Sequence, residues 1–208
     1  KNLLWNIDEI EIYSDNLKKE KILNFQNKNL FSMIKNNELY AKLIQSLKKN
    51  KFFKFKKNES LLPTDYNLII NCDSNNLYSK KYFYRKIKKK YHGYAHTTII
   101  DHKKILKNNT ATQVFTNKGP LAFLPISSFK TSIVYSARGS KDVDLAAIVQ
   151  KYNNKYSITN TSEKSVFELS SMNLRNYYYK NILAFGELLH KIHPLAGQGF
   201  NMSIRDIR

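Results

Sequence analysis

Residues 186–201, GELLHKIHPLAGQGFN, gather the residue types in this chain that can do chemistry. Pro194 cannot sit inside a helix, Gly197 and Gly199 remove side chains on both sides of Gln198, and the run after Gly199 (Phe200, Met202, Ile204, Ile207) has helical spacing. Such a loop presents bare backbone N–H groups at a helix N-terminus, where an anion or an electron-rich carbonyl can be held. His190 and His193 stand three apart with no third ligand cluster nearby, so they read as loop histidines bonded to backbone and no metal site is expected. Asp73, taken alone, is an ordinary turn aspartate after an apolar run. Cys72, the only cysteine, rules out an internal disulfide or a multi-cysteine metal site, suits a reducing compartment, and reads as a small buried packing residue.

The elements that must position these residues are legible from periodicity. Ile7 to Tyr13 alternates like an edge strand or hairpin, and residues 38–49 place Leu39, Leu43, Ile44 and Leu47 on one helical face. Tyr66 to Cys72 has the length and isoleucine content of a buried strand, ending in the polar cluster Asp73, Ser74, Asn75 and Asn76. Between Tyr82 and Ala137 the segments YHGYAHTTII, ATQVF, PLAFLPI and TSIVYSA, parted by turns, predict a separate antiparallel sheet. Asp142 or Asp144 can cap a short helix through Ala146, Ala147, Val149 and Tyr152, and Val166 to Leu169 returns the chain. Tyr177 to Phe185 then reads as an apolar strand that delivers the chain to Gly186.

Length and composition, 208 residues with 42% hydrophobic, predict a globular body of one or two lobes. The first residue is Lys, and Gly199 to Arg208 looks like a helix still running, so a piece of a longer protein is expected. The balance of 35 basic to 16 acidic residues, net +19, attracts anionic partners such as nucleic acid or an anionic membrane face. The lysines come with heavy Asn, Ile, Tyr and Phe usage, a signature of AT-rich codons, and no zinc-finger, RNP or helix-turn-helix pattern accompanies them. Nucleic acid is therefore not the favoured partner. No run of about twenty apolar residues could span a bilayer and no signal-peptide pattern begins the chain, which points to a cytoplasmic protein, soluble or peripheral on a membrane.

Gly186, His190, His193, Pro194, Gly197, Gln198, Gly199, Asn201 and Asp206 match, in spacing, the pattern GDAAHxxHPxxGQGxNxxxxD. The chain here resembles the FAD-dependent aromatic-ring hydroxylases of ubiquinone biosynthesis, which are relatives of the para-hydroxybenzoate hydroxylase fold. GPLAFLPI at 119–126 with SIVYS at 132–136 is similar to the substrate-domain strands of that family, and NLIINCD at 67–73 sits where the family has a strand ending in Ala-Asp-Gly. Departures are Glu187 for the Asp of the Gly-Asp pair, Leu188 and Leu189 for two alanines, Ser74 for a glycine, and Asn37 where an arginine near the flavin is usual. The GxGxxG turn that binds the FAD pyrophosphate has no counterpart in this sequence.

The resemblance implies an α/β fold: a partial FAD-binding Rossmann-like domain (1–77 and 166–208) with an inserted antiparallel or mixed substrate-binding sheet (78–165). It implies FAD held by Asn37, Asp73, Gly186, Glu187, Pro194, Gly197, Gln198, Gly199 and Asn201, with Phe123, Pro125 and Leu195 near the substrate. It further implies a monooxygenase that uses O2 and NAD(P)H or another electron donor on a polyprenylated phenol, drawn from the surface of the inner membrane. The departures leave a second reading open, a flavin-free homologue serving as scaffold in a quinone-synthesis assembly.

Overall fold

The computed structural model describes residues 3–15, 20–56, 63–139, 141–192 and 198–207. The chain divides into two compact units, Lys1–Phe55 with Gly93–Glu168 and Lys56–His92 with Leu169–Arg208.

The larger unit is a mixed sheet. Strands β1 (Leu4–Ser14) and β2 (Lys21–Ile34) form an antiparallel hairpin, followed by helix α1 (Asn36–Leu47). Later come β4 (Lys86–His102, in this unit from Gly93), β5 (Thr110–Thr116), β6 (Gly119–Pro125), β7 (Lys130–Arg138), helix α3 (Leu145–Tyr152), β8 (Ile158–Thr161) and β9 (Ser165–Leu174), whose residues from Leu169 on belong to the smaller unit. The order is β4-β7-β6-β5-β1-β2, with β8 on the other side of β4. Neighbours are antiparallel except β1 and β5, which run parallel from Glu9↔Thr110 to Ser14↔Phe115. That pairing joins β1 and β2 to this unit's sheet.

Period-two alternation decides what the sheet buries. Ile100 of β4, Leu121 and Phe123 of β6, and Ile133, Tyr135 and Ala137 of β7 meet Leu145 and Val149 of α3 and Tyr156 in one core. Asp144, one of the two capping candidates, accepts from Ala147 N–H at 3.0 Å and starts α3. Beneath this layer Asn108 is completely buried yet satisfied: it donates to Ser127 O, accepts from the Tyr156 hydroxyl, and its carbonyl takes the Trp5 indole N–H at 2.7 Å. A bulge in the first hairpin holds Asn29 at φ +57, its N–H on Asp8 Oδ1. Helix α1 forms as its spacing predicts, but none of its side chains is fully buried and Leu43 and Leu47 lie exposed.

The smaller unit contains β3 (Ile69–Asn71), helix α2 (Leu77–Tyr82), the short hairpin β10 (Tyr178–Tyr179) and β11 (Ile182–Ala184), a 3-10 turn (Gly186–Leu188), β12 (His190–Lys191) and α4 (Gln198–Arg205). Residues 177–185, read as one strand, are a hairpin instead: Lys180, at φ +51, turns the chain between β10 and β11. The run 66–72 is likewise shorter than predicted, since Leu68 and Ile70 are exposed and only Ile69–Asn71 pairs. Phe83, Leu174, Ile182, Ala184 and Leu188 make the unit's own apolar cluster.

Candidate functional site

In the smaller unit β3 and β11 lie side by side in parallel, Ile69↔Ile182 through Asn71↔Ala184. The last rung is Phe185 N–H to Asn71 O at 3.0 Å. Beyond it the two strands leave the sheet in the same direction, one into Cys72 and Asp73, the other into Gly186 and Glu187. Carboxyl ends of adjacent parallel strands are where open α/β sheets receive ligands.

A compact polar network shapes the first of these exits. Asn71 is buried; its amide donates to Ser79 Oγ at 2.9 Å, and its Oδ1 accepts from Asn76 Nδ2 at 2.7 Å and from Asp73 N–H. Asn76 caps α2 through Ser79 N–H, and Ser79 Oγ donates to the Asp73 carbonyl. The Asp73 carboxylate accepts from Asn75 N–H at 2.8 Å and stands exposed beside Ser74. Sequence reasoning missed Asn71, Asn76 and Ser79; the Asn-x-x-Ser spacing of a capped helix was the signal available. Cys72 is exposed, not the buried packing residue expected, because a three-residue strand ends before it; partial desolvation still pushes its thiol above the ordinary range.

At the second exit Gly186 is buried with φ +60, a left-handed conformation that a residue with Cβ adopts only under strain. It lets the chain fold sharply into the 3-10 turn, which leaves Glu187 exposed and drives Leu188 completely into the apolar cluster. Leu188, a departure from the small residue of the motif, thus packs beneath the turn. Leu189 closes the turn by donating to Gly186 O, and its own carbonyl accepts from Leu174 N–H.

Gln198, Gly199 and Asn201 all lie in α4, Gln198–Arg205. All three are exposed. Near its far end Asp206 Oδ2 comes within 3.2 Å of His190 Nε2, so two motif positions sixteen apart by number face one another. His193, Pro194, Leu195 and Gly197 lie outside the described residues. Asn37 is exposed in the first turn of α1, in the larger unit. Phe123 and Pro125 are buried on the sheet face where Phe123 packs with the α3 core, Phe123 stacked on Tyr156; Ala122 and Leu124 point to the opposite face and are half-buried. The larger unit also has an open cavity of about 590 Å³ between α3 and the strands β4 and β8, lined by residues that include Thr98, Leu145, Val149, Tyr156 and Ile158.

The residues present fit one part of a flavin site. Asp73 and Glu187, exposed at the strand ends, suit hydroxyl groups of a sugar-like chain. Nothing in the sequence supplies the pyrophosphate turn. Among the described residues no cluster of three metal-ligating side chains occurs, and no helix is long and apolar enough to cross a membrane.

No protein-family model matches the chain. It is similar to the 3-demethoxyubiquinol 3-hydroxylase of Escherichia coli K12, 29% identical over 104 residues, covering 46% of this chain and 27% of that protein. It is also similar to the mouse ubiquinone biosynthesis monooxygenase COQ6, 26% identical over 144 residues, covering 49% of this chain and 30% of that protein. The chain therefore spans about a third or less of the length of these relatives. Among solved structures, the flavin-dependent brominase Bmp2 superposes with a TM-score of 0.70 at 9% identity, over 98% of this chain and 60% of that one. PqsL of Pseudomonas aeruginosa superposes with a TM-score of 0.68 at 14% identity, over 98% and 66%. The chain thus has the sheet-rich α/β fold shared by FAD-dependent monooxygenases and halogenases, and about half of it is similar in sequence to hydroxylases of ubiquinone biosynthesis.

Proposed function

We propose that this chain is part of an FAD-dependent monooxygenase that hydroxylates the aromatic ring of a polyprenylated phenol in ubiquinone biosynthesis. The observation that carries this reading is the pair of parallel strand ends in the smaller unit, which brings Asp73 and the Gly186–Glu187 turn to neighbouring exits and sets α4 after them. FAD, when bound, supplies the activation of O2, with NAD(P)H or another donor supplying electrons. Glu187 and Asp73 would hold its polar chain, and Gly197, Gln198, Gly199 and Asn201, with Pro194 before them, its ring side. On the sheet, Ala122 and Leu124 offer an apolar face to a substrate ring, backed by the buried Phe123 and Pro125, and an apolar wall keeps water from the reacting atoms. A net charge of +19 suits an enzyme that meets its lipid-like substrate at an anionic inner-membrane surface.

The test is the visible spectrum of the protein expressed with its natural flanking sequence. A flavin spectrum near one equivalent, followed by phenol-dependent O2 uptake with NAD(P)H, is the expected result. A folded, colourless protein that FAD cannot reconstitute overturns it. That result would favour the second reading, a flavin-free scaffold in a quinone-synthesis assembly, which the exposed Glu187, Ser74 and Asn37 in place of Asp, Gly and Arg support.

A further inference from the structure

Helix α4 has eight residues and no fully buried side chain, with Phe200 and Ile204 exposed. A helix so short does not hold itself in place, and little apolar packing does so here. Three contacts locate it instead. A Cβ on Gly199 would lie 3.9 Å from Ile192, and one on Gly186 would lie 3.9 Å from Ser203 Oγ, so the helix runs close over the 3-10 turn. The third is polar: His190 Nε2 and Asp206 Oδ2, 3.2 Å apart.

Each member of that pair needs the other. Asp206 follows the last turn of α4, its N–H on Met202 O, and a carboxylate at a helix C-terminus is opposed by the helix dipole. The His190 side chain is 12% exposed, and its Nε2 is buried with no hydrogen bond among the described residues; Asp206 is the acidic group within ion-pair range of it. His190 is itself anchored, because β12 pairs with β9 at His190↔Asn173. The pair therefore ties the far end of α4 to strand β12.

We propose that His190 and Asp206 are positioning residues that set how α4 lies over the Gly186–Leu188 turn, and so how well that turn and α4 receive a flavin. This rests on the flavoprotein reading above. Neither residue need touch the cofactor.

The experiment uses the full-length protein with its natural flanking sequence. FAD affinity is measured by fluorescence titration, and amide exchange is followed in 198–206, for wild type, His190→Leu, Asp206→Asn, the double variant and His190→Gln. Gln keeps an N–H donor at the position of Nε2, and thermal melting verifies that each variant folds. The expected result is about tenfold weaker FAD binding in either single variant, no further loss in the double, near-wild-type affinity in His190→Gln, and faster amide exchange in α4 when the pair is broken. Single variants that keep wild-type FAD affinity overturn the positioning role even if α4 exchanges faster, since the pair would then be structural only. A wild-type protein that fails to bind FAD overturns the flavoprotein reading and this role together, and is recognised before any variant is made.

Discussion

In the larger unit β1, β2, β4, β5, β6 and β7 have seven or more residues each, and alternating side chains of β4, β6 and β7 reach a shared core with α3. In the smaller unit β3, β10 and β11 have two or three residues, and Leu68, Ile70 and Tyr178 remain exposed. The first holds itself by buried apolar area, worth about 25 cal/mol per Å². The second has only the small cluster around Phe83 and Ile182 and adds particular groups: the Asn71–Asn76–Ser79 network, the left-handed Gly186, and the His190–Asp206 pair. Substitutions should therefore act differently in the two. Loss of volume will matter most in the sheet, and loss of a single polar partner or of one backbone conformation will matter most at the strand ends.

The widest separation is expected from Phe123→Ala. Truncating this buried ring should lower stability by roughly 3–5 kcal/mol in urea unfolding, in line with large-to-small core changes. A loss below about 1 kcal/mol would show that Phe123 does not belong to the α3 core. Asn71→Ala probes the other unit. It strands Ser79, Asn76 and the Asp73 N–H, and should cost about 1–3 kcal/mol while amide exchange in β6 and β7 stays as in wild type. Exchange that rises equally in both units would erase the contrast.

Gly186→Ala is expected to cost about 1–2 kcal/mol, because φ +60 is a left-handed conformation and the space around a Cβ is not the obstacle. Its signature would be weakened flavin binding with the melting of the sheet unchanged. Asp144→Ala removes the cap of α3 and should cost about 1 kcal/mol, read from the urea midpoint.

The smallest effect concerns pH. Asp101 is held below the usual carboxylate range chiefly by its hydrogen bond from Lys130, and Asp8 by the Asn29 N–H. With depressed folded pKa values, the unfolded chain binds more protons than the folded one in acid. Their stabilisation is present above the ordinary aspartate pKa of about 4 and is lost as pH falls through the lower folded values. Both residues are half-buried near the surface, where solvent screens their interactions, so Asp101→Asn should change stability at pH 7 little and act mainly by flattening the acid limb of the stability–pH curve.

Much of the sheet was legible in the sequence, because alternation over 86–138 and turn residues between the runs are local signals. The α3 cap, read as Asp142 or Asp144, and the first helix, read over 38–49 and found over 36–47, were legible for the same reason. The hairpin partner β2 was not: it is exposed along most of its length, so its residues carry no burial pattern. At the site, the spacing from Gly186 to Asp206 marked the right segment without telling which members meet.

The sequence by itself determined periodicities, caps and the motif-bearing loop, since each depends on neighbours a few residues away. Only the tertiary structure decided that β1 pairs with β5, that Phe123 faces α3, that Asn71 is the hub of the Asp73 turn, and that His190 meets Asp206. Those outcomes depend on the register of distant strands and on which of two alternating faces is covered, and a shift of one residue in register would reverse them without changing any local pattern.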